Sequence, residues 1–299
     1  MHLYHASVYA SNFARDMGNY ARLTLREREL YATGMKHVLE SYHYVKNETY
    51  LRHVRHDGVK FFLDSGAFSA FTQGVTIDLN KFCDYCHRNA DVIHMVSVLD
   101  SIGDCDGTWR NQVRMEEQGV KPLPCYHYGE PTEALEWYVS RYDYITIGGM
   151  VPVPNNQLEV WLDRVWEEHL TDAEGKPRCK VHGFGLTSPH LMNKYPWTSV
   201  DSSTWQAMGS NGSIMLPNGK VLSVSAKAAQ RKLAGQHVDT LTPPQRAAVA
   251  ALAEEVGIPL DRMAEHHAPR WTWNVYMLPQ VAQERGHRAT FKGVEQRLF

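Results

Sequence analysis

The chain has 299 residues, 43% of them hydrophobic and 21% charged, a globular composition long enough for one large α/β domain or barrel. Its 31 basic and 33 acidic side chains give a net charge of −2, so net charge neither favours nor excludes a nucleic-acid partner, and a local basic patch stays compatible with it. Five scattered cysteines suit reduced thiols better than a secreted disulfide framework; with no signal-peptide core in MHLYHASVYASNFARDMG and no apolar run of membrane-spanning length, a soluble intracellular protein is expected.

Leu3 to Tyr9 reads as a first strand. Residues 12–57 have mostly helical, polar composition and form the most basic region, through Arg22, Arg26, Arg28, Lys36, Lys46, Arg52 and Arg55. A solvated helical face explains that segment more simply than a nucleic-acid contact, although basic side chains interleaved with Tyr and His suit phosphates and unstacked bases.

The most informative stretch follows, KFFLDSGAFS at Lys60–Ser69. A continuous apolar run suits a strand buried on both faces, and the acid stands where that strand should end. In barrels and open α/β sheets, chemistry gathers at the carboxyl ends of strands. Ser65, Gly66 and Ala67 would let a planar ligand approach the backbone, with Phe68 against its face.

Asp78 looks like an N-cap, and Leu79, Phe82, Cys83 and Cys86 then follow helical spacing. That spacing puts both cysteines of the C-x-x-C on an apolar helix face. No second C-x-x-C completes a four-ligand zinc site, so no metal is expected, even with His87 and Cys105 nearby.

Asp91–Asp100, DVIHMVSVLD, is a second apolar strand ending in an acid. A helix over Thr108–Gln118 should stop at Gly119. Pro124–Gly129 is a short strand with His127 near its end, and a helix around Thr132–Tyr138 follows. Tyr142–Met150 is a strand finishing in Gly148-Gly149, a pair that permits close backbone approach to a ligand.

Leu158, Trp161, Leu162, Val165 and Trp166 mark an amphipathic core helix. Lys180–Thr187, KVHGFGLT, is another strand, with Ser188-Pro189 opening a helix. Pro196–Trp205, PWTSVDSSTW, reads as a short strand, then an acid, Asp201, then small hydroxyl residues. Gly212–Ser225 resembles a hairpin turning at Pro217-Asn218-Gly219-Lys220. Thr242–Gln245 is a capping box for a helix to about Val256, closed by Gly257. The last forty residues look helical, with Trp271, Trp273 and Tyr276 packing.

Seven strands are visible in this pattern. Because candidate ligand groups end at least five of them, an irregular TIM (β/α)8 barrel is preferred over a doubly wound sheet, with residues 1–205 forming the barrel and 206–299 a hairpin and helical C-terminal extension packed on it. Asp64, Asp100 and Asp201 each end a strand. Converging carboxylates with aromatics and open backbone suit glycosidic chemistry: one attacks the anomeric carbon while another group handles the leaving-group proton. A further carboxylate could read the ring N–H and amino group of a guanine-like edge. No Walker loop, G-x-S-x-G or zinc-peptidase motif competes.

LDSGAF at Leu63–Phe68, IGGM at Ile147–Met150 and SVD at Ser199–Asp201 resemble the guanine transglycosylases, which exchange guanine in nucleic acid for a 7-deazaguanine on an irregular TIM barrel. The resemblance covers roughly residues 60–205. It implies Asp201 as nucleophile, Asp64 as general acid/base, Asp100, Phe68, Gly148, Gly149 and Met150 around the base, His127 and Ser65 as secondary base contacts, and no cofactor. The zinc subdomain of the tRNA enzymes is absent, since no cysteine follows Cys179, and Ala67 and Ser202–Trp205 depart from their pattern. KVHGFGLTS and YPWTSVDSSTW look more like the phage and bacterial DNA-guanine transglycosylases of the DpdA type, so DNA is the expected polymer and tRNA the alternative. A non-catalytic nucleic-acid-binding barrel and an ordinary glycoside hydrolase are the competing classes. A homo-oligomer or a partner protein sharing the DNA grip stays open.

Overall fold

A computed structural model describes residues 1–46, 49–151, 153–186, 188–284 and 289–292. Eight parallel strands curl into a barrel: β1 (His2–Ala6), β2 (His37–Ser41), β3 (Lys60–Asp64), β4 (Ile93–Val96), β5 (Cys125–His127), β6 (Tyr144–Gly148), β7 (Lys180–Gly183) and β8 (Ser199–Ser202). The sheet runs β4-β3-β2-β1-β8-β7-β6-β5. A parallel bridge between Ser97 and Leu123 joins the two outer strands, with Leu123 N–H donating to the Val96 carbonyl at 2.8 Å and Val98 N–H to the Leu123 carbonyl at 3.0 Å. With that seam paired, no long edge is left to template aggregation.

Alternation along each strand sorts the side chains. Phe61, Leu63, Ile145, Ile147, Val181 and Val200 point outward and are fully buried under the helices. Tyr4, Leu39 and Phe62 form a separate small cluster, with Met95, Leu123 and Phe184 packed against it. This second cluster is the barrel interior, filled by side chains rather than left as a pore.

β2 is the strand the sequence reading missed, inside a region expected to be helical. Only Val38 and Leu39 are apolar there, and the strand also buries an acid, Glu40. Glu40 faces away from the barrel axis and accepts the Tyr9 N–H at 2.7 Å, tying the loop after β1 to the strand. Burial raises its pKa to about 8, against the Tyr9 and Val8 N–H groups, which oppose the shift. Five other strands are shorter than expected, among them β5, which covers only Cys125–His127. β1 ends at Ala6, β4 at Val96, β6 at Gly148 and β7 at Gly183, because buried loop residues such as Val98, Leu99 and Leu186 extend the apolar runs past the last ladder bond. Thr187 lies outside the described residues.

The expected helix signals hold. Asp78 caps Leu79–Arg88 through the N–H groups of Asn80 and Lys81, and Pro189 stands at the start of Pro189–Lys194 behind Ser188. Pro243–Val256 ends at Gly257 with φ +90, a conformation that favours glycine. The hairpin is β9 (Ser213–Met215) with β10 (Val221–Ser223).

The C-terminal helix His267–Glu284 belongs to the ring of helices around the barrel. Trp271 meets Phe13 and Trp205 edge-on at 5.3 and 5.8 Å. The helix backbone passes so close to Gly34, and Trp271 so close to Gly209, that neither site has room for a side chain. Asn274 joins it to the hairpin, accepting the Met215 N–H at 2.8 Å and donating to the Ser213 carbonyl. Among the described residues, no helix is long and apolar enough to cross a membrane. The part of the expected C-terminal helical region beyond residue 292 lies outside the described residues.

Candidate active site

A cavity of about 790 Å³ opens at the carboxyl ends of the strands. Asp64, Asp100 and Asp201 all line it, as do Phe68, His127, Gly148, Gly149 and Met150. The described lining contains no Lys or Arg.

Asp64 ends β3. Its Oδ2 accepts the Gly66 N–H at 2.9 Å and its Oδ1 the Ser97 hydroxyl at 3.3 Å. The turn it holds needs glycine, because Gly66 has φ +76 and a side chain there would collide with Ser41 and His43. Burial and the neighbouring Asp100 raise the Asp64 pKa to about 7, with Asp201 adding to the effect and the two hydrogen bonds opposing it. A carboxyl with that pKa can both give and take a proton near neutrality.

Ser65 does not line the cavity. It is fully buried, its N–H bonded to Ser97 Oγ at 3.0 Å and its Oγ accepting the Ala67 N–H at 3.4 Å, so it holds the turn. Phe68 follows on the helix Ala67–Thr72 and is 59% exposed, and Phe71, one turn on, is 63% exposed. At i,i+3 spacing the two rings share one face of the helix, and of the two only Phe68 lines the cavity. Phe71 carried no sequence signal apart from its i,i+3 spacing to Phe68.

Asp100 lies four residues past the end of β4, not on the strand. The segment reaches the cavity by leaving the ladder after Val98; Leu99 N–H then points at Met115 sulfur and the Leu99 carbonyl accepts from Asn111. Asp100 Oδ1 is 3.5 Å from His127 Nε2 and is buried without a full hydrogen bond. The other ring nitrogen of His127, Nδ1, is 3.0 Å from Glu130 Oε1, and Glu130 also accepts the His127 N–H. Burial opposes a charge on His127, but Cys125, Asp100 and Glu130 around it outweigh burial and raise its pKa. Glu130 was missed in the sequence; its signal was the three-residue spacing from His127 across Gly129.

Gly148 and Gly149 finish β6. A side chain on Gly148 would press on Cys125 Sγ and the His127 ring at 3.0 Å, and Gly149 has φ +68 with the Tyr128 backbone 3.0 Å from where a Cβ would stand. These glycines keep the wall between β5 and β6 open. Met150 is buried beside them.

Asp201 sits within β8, 6% exposed. Its Oδ1 accepts the Gly185 N–H at 2.8 Å and lies 3.3 Å from His182 Nε2.

Among the described residues, Asp100, Cys125 and His127 are the one group whose donor atoms, all within 4.8 Å of one another, converge enough to hold a metal ion; an O, S, N set with a carboxylate-oriented histidine suits zinc. Cys83, Cys86, His87 and Cys105 do not form such a group. Cys83 and Cys86 are buried in the core cluster, His87 bonds the Gln118 carbonyl at 2.8 Å, and Cys105 lines the cavity.

No protein-family model matches the chain, and no curated protein matches it.

Proposed function

We propose that the protein is a DNA-guanine transglycosylase, exchanging guanine for a 7-deazaguanine derivative through a covalent aspartyl–sugar intermediate. One observation carries the reading: three carboxylates from β3, the β4 loop and β8 face one cavity without a single described Lys or Arg in its wall. Such a wall favours a ligand rich in hydrogen-bond donors, as a guanine edge is, over a bound phosphate.

In this reading the target nucleotide leaves the stack, because its C1′ cannot be attacked inside a duplex. Its base rests on Phe68, with Asp100 accepting from the ring N–H and amino group and His127 and the glycine wall completing the pocket. Asp201 attacks C1′ as the C1′–N9 bond breaks, and Asp64 supplies the proton that the departing guanine takes. The incoming base gives up its N9 proton to Asp64 and attacks C1′, releasing Asp201. Two displacements retain the configuration. One N-glycosidic bond replaces another, so the exchange is balanced without a redox or nucleotide cofactor. Phosphates on either side of the flipped nucleotide lie outside the cavity in this reading. A divalent ion on Asp100, Cys125 and His127 would compete with the base.

Incorporation of labelled guanine into DNA and into tRNA, with Asp201→Asn as control, tests the reading. Asp201-dependent incorporation into DNA alone supports it, and incorporation into tRNA alone replaces the polymer. Sugar release without any free base indicates a hydrolase. Binding to DNA with no exchange of any kind indicates a non-catalytic barrel.

A further inference from the structure

We propose that His182 is a positioning residue for Asp201: with the Gly185 N–H it fixes carboxylate oxygen Oδ1, so that Oδ2 is the oxygen that bonds the sugar. This inference rests on the reading of Asp201 as nucleophile.

The hydrogen-bond directions are forced from one end. A carboxylate only accepts, so His182 Nε2, 3.3 Å from Asp201 Oδ1, carries the proton. Burial lowers the pKa of His182, with Asp201 opposing, which favours the neutral ring. In a neutral ring Nδ1 is then the acceptor, and it takes the Ser199 hydroxyl at 2.6 Å. Ser199 Oγ in turn accepts the Tyr144 hydroxyl at 2.7 Å. A relay Tyr144–Ser199–His182–Asp201 thus crosses the barrel interior, every donor pointing towards the cavity.

The ring has no freedom to leave this line. His182 is fully buried, with Phe62 and Phe184 edge-on at 4.8 Å and Tyr4 at 5.9 Å. Gly185 reaches the same oxygen because it takes φ +63 just past β7. Oδ2 accepts no hydrogen bond among the described residues, and Asp201 lines the cavity.

The arrangement orients the carboxylate for the first displacement and stabilises the charge that returns in the second. In the first, Oδ2 bonds C1′ as C1′–N9 breaks, and Oδ1 becomes the carbonyl oxygen of the ester. In the second, N9 of the incoming base bonds C1′, C1′–Oδ2 breaks, and the electron pair returns to the carboxylate. The N–H groups of Gly185 and His182 are already aimed at the oxygen that shares the returning charge, as donors in an oxyanion hole are. This would not hold if His182 merely filled space.

Two measurements test the assignment. Nitrogen-15 NMR of the imidazoles should find His182 neutral with its proton on Nε2 near neutral pH, and Ser199→Ala should mix the tautomers; an imidazolium, or a proton on Nδ1, overturns the proposal. In exchange kinetics, His182→Phe should lower kcat by about 10²-fold, the scale of one lost oxyanion donor, with KM for the base changed by less than about twofold. His182→Gln, which restores an N–H, should recover part of the loss. A folded His182→Phe protein with unchanged kcat overturns the proposal. If the wild-type protein exchanges no base at all, the transglycosylase reading falls, and the NMR result alone decides the relay.

Discussion

The two ends of the barrel are built from the same inward-facing strand positions and carry opposite chemistry. On β3 the file runs Lys60, Phe62, Asp64; on β1 and β8, His2 pairs with Ser199 and Tyr4 with Asp201; on β2, His37 pairs with Lys60 and Ser41 with Asp64. On β1, β2 and β3 the middle of the file is apolar (Tyr4, Leu39, Phe62) and the amino end basic (His2, His37, Lys60), and the carboxyl end is acidic or small. At the amino end, the His2 and His37 rings lie 4.8 Å apart. Burial, together with His2, Lys60 and His94, lowers the His37 pKa to about 4. At the carboxyl end, burial and a neighbouring acid move Asp64 the other way. Each end crowds like charges, but only the carboxyl end opens on a large cavity with glycine turns and exposed aromatics. Crowded charge by itself therefore does not mark a candidate site; crowded charge facing a large, shaped cavity does.

Substitutions at the two ends should separate accordingly. The largest effect is expected for Asp201→Asn, which should lower base exchange by on the order of 10⁴-fold or more, the scale of removing a covalent nucleophile, while a filter-binding assay finds DNA affinity little changed. Asp64→Asn should cost about 10²–10⁴-fold, as for a lost general acid/base. Because guanine departure needs protonated Asp64, the wild-type rate should fall as pH rises through about 7, and a pH–rate profile of the variant should lack that limb. Phe68→Ala should weaken binding of the flipped base by about 1–3 kcal/mol, the worth of one stacking contact, read as a raised KM. Equal losses of exchange from His37→Gln and Asp64→Asn would break the comparison.

The smallest effect separates the ends by sign in a stability–pH profile. Asp64 has a folded pKa raised from 3.8 to about 7, so its contribution is full below the unfolded value and is lost as pH rises through 7. Glu40, raised to about 8, acts in the same direction. His37 has a folded pKa lowered from 6.5 to about 4, so its contribution is full above the unfolded value and is lost as pH falls through 4. Melting curves across pH should show Asp64→Asn removing a fall in stability as pH rises from about 4 to 7, and His37→Gln removing a rise over about pH 4 to 6.5. A change of the same sign in both variants would contradict the opposite signs.

Much of this was legible residue by residue. Lys60–Asp64 declared its strand by its apolar run, Asp78 and Ser188 their helices by cap chemistry, and Gly148-Gly149 an open turn. β2 was not legible, because Glu40 breaks its apolar pattern and only a buried partner, the Tyr9 backbone, makes that acid tolerable. The end of β4 was misplaced for the opposite reason: Val98 and Leu99 are buried as loop residues, and apolar character alone does not distinguish a ladder from a packed turn. His182 was visible only as part of a strand-end motif. What it touches depends on the register of β7 against β8, where it pairs with Ser199, and a one-residue slip would turn it to the helices.

The alternation of strands and helices, the acids at or near three strand ends and the glycines beside them follow from short-range pattern and turn chemistry, and so can be read along the chain. Folding alone makes the acids share one cavity, brings β4 and β5 together across Ser97 and Leu123, turns Ser65 away from the wall, and lines up Tyr144, Ser199 and His182 behind Asp201. Those facts depend on closure and register, which bring together residues far apart in the chain, and no local preference encodes the distance between them.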